Sequence, residues 1–569
     1  MPIKPIYIKS PLAVLHTVPL GPGQVKSTYP VLSSMYNEIR DMLKHVSMWE
    51  GIFRLACIVT EHPEAEPVCD AIEEAMEKQQ VDGALEYESM AQSIAVMRAA
   101  MALYEFTNNR RLLQRIAVWC GWINTHRDEI IRESYVRTHS ADLMELLEKM
   151  YRYTGKVALL SLCDFLRMNG MNWSTILHTF GIKRPMNQIA SWLETRAGMD
   201  REKDSENGLY TRQYLTAHAE TLADGMRAAY VNSLYSGSRD ESTAGPEGWQ
   251  KIYRWHGLPC GGTSADETLE GNNPSSAMDA ASLGAWAEAF ALQLMTRPSA
   301  WAAEALDILV RNSLPAAFIH GNLVPYQRAN CVDKDLNTKD CYKTHTVTEQ
   351  KVRCYARMSR AWAQVMSSAV MTSSQGCMVN LYLDGEYVMM LGGSACKMTI
   401  RSENPQTARI SFQMKNEIET HVSLRVFPWM HEVTLSRNGE AVDARLDGDM
   451  LMFSGTLHSG DEWTMAWENE LRTTEEFHQG MAVLWGDQVM VLPVTADADW
   501  AVAAAGRPEI QDGQVVLNVQ HIEGWSASFG VPGGLPILPE RNNDTREVCL
   551  APYAETPCRI TVFPRVNRA

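Results

Sequence analysis

Between Trp255 and Ser282 the chain reads "WHGLPCGGTSADETLEGNNPSSAMDAAS", and the carboxylates Asp266, Glu267, Glu270 and Asp279 all fall within it. Carboxylates beside a Trp-His pair and several glycines suit a sugar-binding cleft. Long loops at the mouth of a rigid scaffold are frequently functional. The same Gly/Ser/Asn/Pro composition also describes a plain solvated loop. A second chemical candidate lies in "KVRCYARMSRAWAQVM", Lys351 to Met366, where Cys354 stands between Arg353 and Tyr355. Its thiol has three readings: a nucleophile, a metal ligand, or a small buried hydrophobe.

Two kinds of element must position these residues. From about Val31 to about Val370 apolar residues recur at helical spacing, as in "DLMELLEKMYRYTGKVALLSLCDFLRMNG", where Leu143, Leu147, Met150 and Tyr151 form one stripe and a Thr-Gly turn ends it. Short turns between successive long helices predict antiparallel hairpins. Their number predicts a toroid of hairpins, an α/α barrel or a solenoid, and the lack of a fixed-length repeat weighs against the solenoid. After about Gly376 the period becomes two. Ile410, Phe412 and Met414 alternate, as do Val422, Leu424 and Val426, and Asn438-Gly439 is a strong hairpin-turn signal. The expected architecture is a multidomain α + β chain: a helical catalytic-type domain over residues 1–375, then a β-sandwich region of one or two modules over 376–569.

The bulk composition narrows the partners. With 569 residues, 45% hydrophobic and 21% charged, the chain has material for several cores. A formal net charge of −16 argues against a nucleic-acid partner, whose phosphates require a basic surface. No stretch approaches the roughly 18–20 apolar residues of a membrane span. The opening "MPIKPIYIKSPLAVLHTVPL" is interrupted by Pro2, Pro5 and Pro11 and does not read as a signal peptide. Twelve cysteines without a CxxC read as reduced thiols. The expectation is a soluble, acidic, cytoplasmic protein, with a homodimer left open.

The motifs, taken in order, resemble the β-L-arabinofuranosidase-type hydrolases, glycoside hydrolase family 127 and its relatives. "ADETLEGNNPSSAMDAAS" is similar to that family's "GDEHLAG..PSQGTELCA". "HAETLADGMRA" resembles "HGVN.A.A.K", "VPYQRANCV" resembles "YDQQANQV", and "RCYARMSRAWAQ" resembles "CCTANMHQGWPK". The likeness spans about 85% of the chain in fixed order. It implies an (α/α)6 barrel followed by C-terminal β-sandwiches, and glycoside hydrolysis of a small oligosaccharide or glycoside. It also implies roles for particular residues. The family's general acid/base falls on Glu267, its active-site histidine on His218, and cleft positions on Trp255, His256, Tyr326 and Gln327.

The resemblance breaks at the family's zinc centre. Its glutamate ligand falls on Asp279, a cysteine ligand on Ala281, and the adjacent cysteine pair on Arg353 and Cys354, the nucleophile's place being taken by Arg353. A tetrahedral zinc site needs about four N, S or O ligands. The expectation is therefore no zinc and no other cofactor, with carboxylates doing the chemistry. Glu267 would be the acid, and Asp279 or Asp266 its partner. Arg353 would either hold that carboxylate ionised or bind a carboxylate on the sugar. Helix capping for Asp279 and a salt bridge closing the former metal pocket for Arg353 are the competing structural readings. Two functional alternatives stand beside this one. One is a non-catalytic carbohydrate-binding descendant. The other is a zinc-free cysteine-dependent arabinofuranosidase using Cys354.

Overall fold

The computed structural model describes residues 17–60, 65–186, 188–189, 216–295, 300–319, 321–331, 347–477, 480–495, 501–522, 538–539 and 545–567. Six helices form a closed inner ring: Trp49–Val59, Met90–Thr107, Ser140–Thr154, Ala219–Ser236, Ala280–Gln293 and Val347–Ala369, each packed on the next and the last on the first. A second ring lies outside. Pro30–Ile39, Glu66–Glu77, Arg110–Thr125, Val157–Asn169, Arg239–His256 and Ala300–Arg311 each pack on the inner helix that follows or precedes them in the chain. This is the (α/α)6 barrel. The sequence patterns separate the two rings. Every residue of Ala280–Gln293 is buried, as a helix enclosed on all sides requires, whereas Arg110–Thr125 buries one stripe of Leu112, Ile116, Trp119, Cys120 and Ile123.

The barrel axis is filled by charge. Arg227, 1% exposed, reaches Asp142 at 2.9 Å, Glu145 at 2.7 Å and Asp224 at 2.7 Å. Arg357 reaches Glu220 at 2.9 Å, Asp224 at 2.6 Å and Glu288 at 2.6 Å. Arg98 joins Glu50 at 2.8 Å to Asp142 at 2.9 Å. All six inner helices thus contribute to one ion-pair network. Desolvating such ions offsets most of their mutual attraction, so the network adds little net stability over an apolar filling. It does demand every partner, because one missing cation leaves carboxylates buried and unpaired.

The last inner helix ends at Ala369, and strand Val370–Thr372 begins at once. A six-stranded and a seven-stranded sheet follow, with Ala408, Ile410 and Phe412 turned inward along Thr407–Met414. Asn438 and Gly439, with φ of 52° and 87°, make the expected two-residue hairpin between paired Arg437 and Glu440. The early strands Val18–Pro19 and Val25–Lys26 belong to these sheets, pairing with Val370–Thr372 and Gly385–Leu391. A second β module starts at Leu471. Among the described residues no helix is long and apolar enough to cross a membrane, and the described cysteines are unpaired. Most of the opening stretch read for a signal peptide, residues 1–16, lies outside the described residues.

Candidate active site

At one end of the barrel, short strands Ala265–Asp266, Thr268–Leu269, Ala277–Asp279 and Tyr326–Arg328 form a small sheet. Asp266 pairs with Thr268, which leaves Glu267 alone at the reversal between them. Glu267 has φ of 64°, in the left-handed region that a side chain beyond glycine occupies at a cost of about 1–3 kcal/mol. Its carbonyl accepts from Ala219 N–H at 3.0 Å, and Thr268 bridges to His218. The hairpin is thereby clasped to the first turn of Ala219–Ser236. That brings Glu267, 6% exposed, beside His218. The Asp266 side chain lies outside the described part of the structure.

His218 stands at the N-cap of that helix, its Nδ1 accepting from Thr221 N–H at 3.4 Å. Burial, with the neighbouring Arg353 cation adding to it, pulls its pKa down to about 4 against the opposing carboxylates Glu220 and Glu267. His218 is therefore a neutral imidazole near pH 7.

The floor is built by the helix Val347–Ala369 and the start of Ala280–Gln293. Asp279 is fully buried and caps the latter helix: Oδ1 accepts from Ala281 N–H at 3.2 Å and Oδ2 from Ser282 Oγ at 3.0 Å. Arg353 donates from Nη2 to Asp279 Oδ2 at 2.7 Å and from Nη1 to Glu220 Oε2 at 2.8 Å. Both terminal nitrogens are thus engaged by the protein's own carboxylates. Gln350, one turn earlier, donates to the Tyr326 hydroxyl at 3.0 Å and lies 3.4 Å from Asp279 Oδ1. Burial raises the Asp279 pKa and Arg353 opposes it. Burial would likewise raise Glu220, but Arg357 and Arg353 outweigh it and hold that carboxyl down at about 2.

Cys354 is fully buried, with Sγ 3.6 Å from Asp279 Oδ1 and 3.8 Å from Gln350. Burial and the adjacent Asp279 carboxylate push its thiol well above the ordinary range. Thiol chemistry requires the thiolate. In a native-state thiol titration we expect exposed Cys549 to react rapidly and Cys354 only after denaturant is added. Mass mapping of the labelled cysteines reads the result directly.

Three other expected cleft residues have partners of their own. His256 is fully buried; its Nδ1 accepts from Gly271 N–H at 3.0 Å and its Nε2 donates to Ile182 O at 2.9 Å, so it ties the long loop to the barrel. The Trp255 ring carries Lys183 Nζ at 5.4 Å and the Arg254 guanidinium at 5.3 Å. Gln327 alternates away from Tyr326 on its strand, donating to Ser313 O at 2.6 Å and accepting from the Tyr553 hydroxyl at 3.1 Å. Glu220, His139 and Gln350 were not singled out from the sequence. Gln350 had a signal, being one helical turn before Arg353 and Cys354. Glu220 stood two residues after His218 without a pattern to mark it.

Burial lowers the His256 pKa to about 4, against about 6.5 in an unfolded chain. The unfolded state then binds a proton that the folded state refuses. The stability this contributes is present above about pH 6.5 and is lost as pH falls toward 4, a change of about 3 kcal/mol at most for this group. Urea unfolding across that range should show the decline, and His256→Gln should flatten part of it.

No family model and no curated protein matches the sequence. Solved structures do. One described as a glycoside hydrolase superposes with a TM-score of 0.71 at 14% identity, covering 97% of this chain and 98% of that one. A glycoside hydrolase family 127 β-L-arabinofuranosidase from Geobacillus stearothermophilus T6 gives 0.66 at 14% identity, covering 94% of this chain and 90% of that one. Another family 127 β-arabinofuranosidase gives 0.67 at 13%, covering 97% and 98%. The chain shares the fold of these enzymes over 94–97% of its length.

Proposed function

We propose that this chain is a glycoside hydrolase acting on a neutral oligosaccharide or small glycoside, with Glu267 as the general acid and no zinc in the mechanism. The observation that carries the reading is Glu267 itself, a carboxyl held in a left-handed backbone conformation beside neutral His218. Strain of this kind persists where the surroundings over-determine it and clusters at functional sites. The fold shared with glycoside hydrolases supports the reading from a separate direction. Neutral substrates are favoured because Glu220 and Asp279 already occupy both terminal nitrogens of Arg353, which leaves that fork engaged rather than open to a sugar carboxylate.

The residues here do not suit zinc. Ala281 offers no donor atom, Arg353 brings a permanent cation against Asp279, and the Cys354 thiol is protonated. Asp279 acts as helix cap and counter-ion to Arg353. Glu220, held ionised by Arg357 and Arg353, is assigned the stabilisation of oxocarbenium charge. A cysteine mechanism at Cys354 has burial and protonation against it.

A second reading, a non-catalytic carbohydrate binder, is favoured by one observation: an arginine ion-paired on both sides fills the former nucleophile's position. A panel of aryl furanosides and pyranosides of neutral sugars decides between them. Release of aryl alcohol above background is expected. Calorimetric binding of oligosaccharides with no product over days would establish the binder instead.

A further inference from the structure

The mechanism above has an acid and a charge-stabilising carboxylate but no group to take the proton of the attacking water. Glu220 is a poor candidate: two guanidiniums hold it as an anion with a pKa of about 2, and a general base works best with a pKa near the operating pH. We propose that His139, oriented by Asp224, is the general base that activates water, a proposal that rests on the hydrolytic reading.

His139 lies immediately before the inner helix Ser140–Thr154. Its Nδ1 is 2.6 Å from Asp224 Oδ2, and a fifth of its side chain is exposed. Asp224, 1% exposed, is fixed by Arg227 at 2.7 Å and Arg357 at 2.6 Å, so its carboxylate cannot turn away. Those two cations, with the hydrogen bond from His139, also hold it ionised. A carboxylate accepting from Nδ1–H sets the tautomer and leaves the lone pair on Nε2 as the basic position. The ring plane is fixed as well, stacked on Tyr135 at 5.0 Å and 25°, while the Tyr135 hydroxyl donates to Asp142 at 3.0 Å. His139 joins the site through Arg357, which binds both its partner Asp224 at 2.6 Å and Glu220 at 2.9 Å. The charged and titratable groups around it are Asp224, Glu220 and neutral His218 from the helix Ala219–Ser236 and its cap. Arg357 and Arg360 stand on Val347–Ala369, and Asp142 and Tyr135 on its own segment.

The step balances as a single displacement. The water oxygen bonds to the anomeric carbon while the bond to the leaving oxygen breaks with its electron pair. His139 Nε2 takes the water proton and Glu267 gives its proton to the leaving oxygen. The imidazolium then releases its proton to solvent, and Glu267 regains one. The anomeric configuration inverts.

The test uses an aryl glycoside that the wild type hydrolyses. His139→Ala and His139→Gln should each lower kcat at least about a hundredfold with little change in KM. Sodium azide, a nucleophile that needs no base, should restore the rate of His139→Ala and give a glycosyl azide detectable by mass spectrometry. Activity within about threefold of wild type, or a loss that azide does not relieve in a variant with unchanged circular dichroism, overturns the base assignment alone. A wild type inert toward the whole panel removes the hydrolytic reading, and the base with it.

Discussion

Glu267→Gln is expected to lower kcat on alkyl glycosides by about a hundredfold to ten-thousandfold, the range a positioned proton donor contributes. The loss should depend on the leaving group. An alkoxide cannot depart unprotonated, whereas a dinitrophenolate needs no proton, so the variant should hydrolyse dinitrophenyl glycosides nearly as fast as wild type. Steady-state rates across aglycones of graded acidity check this, and a uniform loss would argue for a structural role. Glu267→Gly sharpens the prediction. Glycine occupies φ of 64° without steric cost, so this variant should gain up to about 1 kcal/mol of stability while losing the proton donor altogether. Stability rising as activity disappears is what an acid held against its conformational preference produces.

The largest structural effect is expected from Arg227→Met. The side chain is 1% exposed and lies within ion-pair distance of Asp142, Glu145, Asp224 and Glu288. Burial opposes its charge, and those carboxylates more than restore it. Methionine fills a similar volume but leaves four inner-helix carboxylates with one cation fewer. Removing one member of a buried pair typically costs about 3–5 kcal/mol, and this position serves several pairs. Urea unfolding should show a loss of at least that size, or no folded protein at all. Because Asp224 orients His139, a folded Arg227→Met should also lose turnover.

How far the sequence carries depends on the length scale of each signal. The barrel and the sandwiches follow from local periodicity, which binary patterning writes into every element. Glu267 was legible through its motif, and so was the replacement at Arg353, because substitution in a recognisable place is itself visible. The left-handed backbone at Glu267 was not, since it arises from a clasp to Ala219 in a distant helix. Asp279 and Arg353 each had a structural alternative, capping and a closing salt bridge, and those contacts are present. His256 and Gln327 match motif positions, yet their polar atoms are directed to backbone and to the second β module. His139 carried no signal because its partner Asp224 is contributed by another inner helix.

The pairing of Val25 with Tyr387 has a consequence for the birth of the molecule. About 360 residues separate these partners, and a ribosome adding roughly 5–20 residues per second needs on the order of 20–70 seconds to deliver the second after the first. During that interval the strand Val25–Lys26 waits with its edge unsatisfied, while the barrel helices emerge behind it. Contacts so distant along the chain are slow to form and leave strand edges open to foreign pairing. Completion of the fold is therefore timed by translation, and the nascent chain is expected to need chaperone cover until the sandwich is made.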